Sequence, residues 1–179
     1  MFGPSALATP ANAVTVVRLL GAPILVALIA IRGVAWSSVI AWVLLAGTDG
    51  VDGWIARRHG TTRSGAFLDP LADKVLLLCA LVTLTAINVL WWVPVALISV
   101  REIWMSLYRA RAGGRGVSVP ARTSAKLKTL AQDTAVALAL FPPVSLHHHR
   151  AVIWVLWVAV ALTVFTGLQY MADARRTAS

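Results

Sequence analysis

The sequence predicts an all-α integral membrane protein folded as a six-transmembrane-helix bundle. Three observations carry this. The 179-residue chain is 59% hydrophobic and 13% charged, with mean hydropathy +0.78, whereas a soluble domain carries about 25% charged residues. Its apolar tracts recur, each long enough to cross about 30 Å of hydrocarbon. Its basic residues lie mostly at the ends of those tracts, the pattern that orients membrane helices. The formal charge of +9 is therefore read as an orientation signal, with no nucleic-acid partner expected.

Residues 1–11 form an N-terminal interfacial segment, in which Phe2 and Leu7 stand among small residues, and 12–179 form one six-helix domain. No Lys or Arg precedes Arg18 and no cleavage signal is visible, so the segment does not read as a removable signal peptide. The first span covers 12–31 and stops before Arg32. The second, 35–57, and the third, 68–88, are interrupted near their facing ends by acids. The fourth, 91–110, opens on Trp91 and Trp92, which suit an interfacial anchor. A glycine-containing basic loop, 110–120, leads to the fifth span, 124–142, which ends at Pro142 and Pro143. The sixth covers 150–171. The single Cys79 excludes an internal disulfide. His147, His148 and His149 are adjacent and so point in different directions, which favours an ordinary polar connection over a metal site.

Six spans return both termini to one side. On that side fall Arg57, Arg58 and Arg63, then Arg109, Arg111, Arg115 and Arg122, with Lys126, Lys128, Arg175 and Arg176, against Arg32 and Arg150 opposite. The positive-inside rule places both termini and the acid-bearing hairpin in the cytoplasm, at the plasma or inner membrane, with a cytoplasm-facing active site.

Four of the seven acidic residues lie within 49–73. A carboxylate at membrane depth is costly and marks function by default. Asp49 and Asp52 are three apart, while Gly65, Asp69 and Asp73 are four apart, so each set shares one face if helical. Converging carboxylates raise one another's pKa or bind cations. Hard divalent ions, Mg²⁺ or Mn²⁺, suit such oxygen donors, and two close together make the arrangement used in phosphoryl chemistry. Gly50, Gly53 and Ala56 clear space beside the acids, and Arg57 offers a fork of donors to a phosphate. Pro70 is expected in a first helical turn, leaving Asp69 near the helix start.

The pattern Asp49-x-x-Asp52-Gly53-x-x-Ala56-Arg57 followed by Gly65-x-x-x-Asp69-x-x-x-Asp73 resembles the signature of the CDP-alcohol phosphatidyltransferase family. The gap from Arg57 to Gly65 holds seven residues, one fewer than the usual family spacing, and falls at the turn His59-Gly60-Thr61-Thr62. The resemblance implies transfer of a phosphatidyl group from CDP-diacylglycerol to an alcohol, with CMP released. It further implies that Asp49, Asp52, Asp69 and Asp73 hold two divalent ions per protomer, with Asp73 the general base. Asp52, Gly53, Ala56, Arg57 and Gly65 would line the CDP site, and the protein would be a homodimer in contact with membrane lipid.

The acceptor is read from the remaining basic residues. Arg122, Lys126, Thr129 and Asp133 are spaced to share a polar face of the fifth span, with Lys128 pointing elsewhere on an ideal helix, either snorkelling or in a distorted first turn. Arg101 and Glu102 lie deep in the fourth span, as an internal pair or as a pocket wall with Arg101 contacting the acceptor. Arg109 lies nearer the mouth. Arg101-Glu102-Ile103, Lys126-Leu127-Lys128-Thr129 and the stretch Asn12–Arg18 with Pro23 look like segments of the family members that use glycerol 3-phosphate. That resemblance implies glycerol 3-phosphate as acceptor, with Arg101, Arg109, Arg122, Lys126 and Lys128 as phosphate ligands. Inositol phosphate and phosphatidylglycerol remain alternative acceptors. A small ion or proton transporter is the rival of another class, but it would need polar groups continuing across the membrane.

Overall fold

The computed structural model describes the backbone of residues 10–59, 65–114 and 123–176, with side chains placed over 15–48, 71–108, 111 and 124–171. All regular structure among these residues is helical: α1 (Pro10–Arg32), α2 (Trp36–His59), α3 (Gly65–Ala86), α4 (Trp92–Gly114), α5 (Thr123–Leu140), α6 (Pro142–His147) and α7 (His149–Arg176). The six long helices stand where the six apolar tracts were expected. Two segments, Thr15–Arg32 of α1 and His149–Met171 of α7, are long and apolar enough to cross a membrane.

Each long helix buries one face. On α1 the buried residues are Thr15, Arg18, Ala22, Leu25 and Ile29, steps of three and four that trace one side of a helix. That side packs chiefly on α3, while α5 packs chiefly on α7; α2 lies against α1 and α4 against α7. Leu25, Ile29, Leu81, Leu84, Ile98, Val136 and Leu156 belong to one continuous core. Small residues let the backbones approach. A Cβ on Gly21 would come within 2.6 Å of Leu45 Cδ2, so the α1–α2 contact uses a residue without a side chain.

The outside is apolar too: Ile24 is 70%, Ile31 80% and Trp154 72% exposed. Large side chains pointing outward along helices whose inner faces hold Arg, Glu, Lys and Gln suit a hydrocarbon surround better than water.

Two turns close one end of the bundle. Gly33, at φ +59°, ends α1 and donates its N–H to the Ile29 carbonyl at 2.8 Å. Asn88, at φ +61°, ends the turn after α3; such left-handed positions favour Gly and Asn. The same end carries edge-on contact between Trp36 and Phe141, centroids 5.0 Å apart, and contact between Trp91 and Trp157. Trp91 and Trp92 are 60% and 63% exposed, as suits the anchor expected there.

Three boundaries differ from the sequence reading. The connection after the fifth tract contains a helix, α6, because Pro142 and Pro143 occupy its first positions, where a missing N–H costs nothing. Helix α4 runs on through Arg111 to Gly114, taking the first part of the expected basic loop, since Ala110, Arg111 and Ala112 favour helix and Gly113-Gly114 stop it. Helix α3 begins at Gly65, so Pro70 lies in its second turn rather than its first, where it removes one backbone bond to residue 66. The rest of the basic loop, 115–122, lies outside the described residues.

Candidate active site

The acid motif divides between two helices. Asp49, Asp52, Gly53, Ala56 and Arg57 fall on the last turns of α2, and Gly65, Asp69 and Asp73 on the first turns of α3. The helical spacing behind the expected shared faces is therefore present in the backbone. The side chains of Asp49, Asp52, Ala56, Arg57 and Asp69, with the surroundings of Gly53 and Gly65, lie outside the described residues, as does the turn 60–64. Asp73 is half-buried.

The buried charged residues of the described helices, Arg18, Glu102 and Lys128, lie towards the motif end of the bundle. Glu102 of α4 is 1% exposed. Its Oε1 accepts from Arg101 Nη1 at 3.0 Å, from Lys128 Nζ of α5 and, more distantly, from Gln132 Nε2 at 3.4 Å. Its Oε2 lies 3.8 Å from Lys74 Nζ of α3. Lys74 also donates to Ser106 Oγ at 2.6 Å, and Ser106 donates in turn to the Glu102 carbonyl at 2.7 Å. Helix α7 closes the network: Thr166 accepts from Arg101 Nη2 at 2.8 Å and Thr163 from Gln132 Nε2 at 2.9 Å. Burying a carboxylate costs several kcal/mol unless cations and hydrogen bonds replace its water. Here three cations do so.

A second bridge secures the start of the motif. Arg18 of α1 is fully buried, and its Nε and Nη2 donate to Thr48 Oγ1 at 3.2 and 3.0 Å. Thr48 immediately precedes Asp49, so this contact ties α1 to the turn of α2 from which the acids begin.

Of the expected acceptor residues, Arg101 and Lys128 are brought together through Glu102. Lys126 is exposed on α5, away from that cluster. Arg109 lies on the last turns of α4 with its side chain outside the described residues, and Arg122 is outside them altogether. One expectation is corrected. Lys128 does not snorkel outward; it is 6% exposed and turned inward. A single-helix reading could not see Glu102, which supplies the opposite charge from another helix. Sequence reasoning also missed Lys74, Ser106, Gln132, Thr163 and Thr166 as members of this network, and Thr48 as the partner of Arg18. The available signal was polar residues recurring at helical spacing inside apolar tracts: Lys128 and Gln132, then Thr163 and Thr166. His147, His148 and His149 are exposed at the opposite end, and no group of metal-ligating side chains forms among the described residues.

Comparison with known proteins agrees with the motif. Residues 8–165 match the model of the CDP-alcohol phosphatidyltransferase family. The chain is 41% identical over 181 residues to a "probable phosphatidylglycerophosphate synthase" of Mycobacterium tuberculosis, covering 97% of this chain and 85% of the relative. It is also 41% identical over 151 residues to a "CDP-diacylglycerol--glycerol-3-phosphate 3-phosphatidyltransferase" of Escherichia coli, covering 79% and 82%. A protein of the same description in Salmonella choleraesuis is equally similar over 150 residues. With an aspartate motif on two adjacent helices, an outward apolar surface and these relatives, the chain is a membrane protein belonging to the CDP-alcohol phosphatidyltransferase family.

Proposed function

We propose that the chain transfers the phosphatidyl group of CDP-diacylglycerol to glycerol 3-phosphate, giving phosphatidylglycerophosphate and CMP. The observation that carries this reading is the junction at Asp73 and Lys74. The first belongs to the acid motif, while the ammonium of the second reaches Ser106 and approaches Glu102 in the cationic cluster of α4 and α5. On this reading the place for acid–base work and the place for the anionic acceptor would adjoin on one helix.

The donor set fits a hard divalent cation: four carboxylates and no thiolate, carried at helical spacing by α2 and α3. Asp49, Asp52, Asp69 and Asp73 would hold two Mg²⁺ or Mn²⁺ ions, which when bound neutralise charge on the phosphoryl oxygens. Asp52, Gly53, Ala56, Arg57 and Gly65 would receive the cytidine diphosphate. The acceptor hydroxyl oxygen attacks the lipid-side phosphorus in line, the bond from phosphorus to the CMP oxygen breaks, and the hydroxyl proton passes to the Asp73 carboxylate. Position matters more than bulk basicity for that proton. Arg101 and Lys128, with Lys126, Arg109 and Arg122 towards the mouth, would hold the acceptor phosphate.

The proposal includes six membrane spans with both termini and the site on the cytoplasmic side. The six long helices and the bias of Lys and Arg towards the motif end support it. That placement lets soluble acceptor and CMP exchange while acyl chains remain in lipid. Each protomer carries the whole motif on its own α2 and α3, so the homodimer implied by the family resemblance would hold two sites.

The test is CMP release from CDP-diacylglycerol by the purified chain, with glycerol 3-phosphate or myo-inositol phosphate in parallel. Turnover with glycerol 3-phosphate alone, lost in Asp73→Asn, is the expected result. Turnover only with the inositol substrate would overturn the acceptor.

A further inference from the structure

Glu102 is buried far more completely than a mere counter-ion for Arg101 requires, and it gathers cations from three helices. Lys74 comes from α3, Arg101 from α4 itself and Lys128 from α5. Three cations thus meet one buried carboxylate. Lysine is a point charge on a flexible stem, and its ammonium is useful at a defined place only when something holds it. Both lysines are held by α4. Lys128 Nζ donates to Glu102 Oε1. Lys74 Nζ is fixed by Ser106 Oγ, one helical turn after Glu102, and Ser106 is itself fixed by the Glu102 carbonyl. Gln132, anchored on Thr163, meets the same carboxylate oxygen from a further side. The carboxylate is thus braced by three helices besides its own, directly or through one intermediary.

We infer that Glu102 is a positioning residue for the transfer reaction: with Ser106 it aims the ammonium groups of Lys74 and Lys128 at the phosphate of the acceptor, which makes Lys74 an anion ligand. The inference rests on the reading of the acceptor given above. Lys74 follows Asp73 on α3, so holding its ammonium against α4 also fixes the distance between the acceptor's phosphate and the residue that takes its hydroxyl proton. Glu102 touches no substrate. Its effect runs through the lysines, and a carboxylate in this place repels any phosphate not met by them.

The test uses the full chain purified in lipid or detergent, with Glu102→Gln, Glu102→Asp and Lys74→Gln. The KM for glycerol 3-phosphate is measured at saturating CDP-diacylglycerol, the KM for CDP-diacylglycerol at saturating acceptor, and thermal inactivation alongside. Glu102→Gln and Lys74→Gln are each expected to raise the acceptor KM at least about tenfold, with the CDP-diacylglycerol KM held within about twofold. Glu102→Asp, which keeps the charge, recovers part of the loss. Lys74→Gln keeps the test decisive if Glu102→Gln does not fold, because the Lys74 side chain is 20% exposed. An unshifted acceptor KM in active protein, or both KM values and thermal stability worsening together, overturns the inference and leaves Glu102 as a brace of the bundle. If the unaltered chain releases no CMP with glycerol 3-phosphate, the acceptor reading fails and takes the inference with it.

Discussion

Replacing Thr48 by valine tests whether the α1–α2 bridge governs the acid motif. Valine keeps the shape and removes the oxygen that accepts from Arg18 Nε and Nη2 at 3.2 and 3.0 Å. A hydrogen bond to a charged donor is worth about 1.5–3 kcal/mol net. The two bonds share one acceptor oxygen, so they count as less than two independent ones, and a loss of about 2–3 kcal/mol is reasonable. The bond from Thr48 Oγ1 to the Leu45 carbonyl, 2.6 Å, stays within α2; its loss adds little, because that carbonyl already serves the helix. If the whole loss falls on the placement of Asp49, it corresponds to about a 30- to 150-fold fall in kcat/KM for CDP-diacylglycerol. The assay is CMP release at saturating acceptor over a Mg²⁺ series, with Thr48→Ser as control. Thr48→Val should need more Mg²⁺ for half-maximal rate, while Thr48→Ser, which keeps the hydroxyl, should stay within about threefold of the unaltered chain. A valine variant with unchanged Mg²⁺ dependence and unchanged kcat/KM would refute the idea that Arg18 positions the motif through Thr48.

Other outcomes follow from the same geometry. Asp73→Asn should lower kcat by about 10²–10⁴, the range for loss of a positioned base, with thermal inactivation little changed; activity near that of the unaltered chain would remove Asp73 from the chemistry. Chelation of divalent ions should abolish CMP release, and added Mg²⁺ or Mn²⁺ should restore it; turnover that survives chelation would contradict the metal role of the four aspartates. Gly21→Val should displace the Leu45 side chain, since even a Cβ there meets Leu45 Cδ2 at 2.6 Å, whereas Gly167→Ala, whose Cβ would meet Arg101 Nε at an ordinary 3.6 Å, should be tolerated. Detergent-stability curves for the pair would show whether the α1–α2 contact is as tight as the geometry makes it. Leu81→Ala, at a fully buried core position, should cost about 2–5 kcal/mol and appear as faster thermal inactivation.

The sequence by itself determined the helices, the acid motif and the family. These are local or nearly local properties. Apolar tracts reveal helices because each turn repeats within four residues, and Asp49, Asp52, Asp69 and Asp73 announce themselves because carboxylates are rare and costly in such tracts. One terminus set by neighbouring residues was also partly legible: the Pro142-Pro143 pair punctuates the chain, although it starts a helix as well as ending one. The tertiary structure alone decided which polar side chains meet. Whether Lys128 turns inward depends on Glu102, 26 residues away; whether Arg18 has an inward partner depends on Thr48, 30 away; and Arg101 reaches Thr166 across 65 residues. Helical periodicity says which face of α5 carries a lysine. Only the packing of α7 on α5 and the reach of Glu102 from α4 say whether that face meets lipid or a buried carboxylate, because the charge that makes an inward lysine stable comes from another helix.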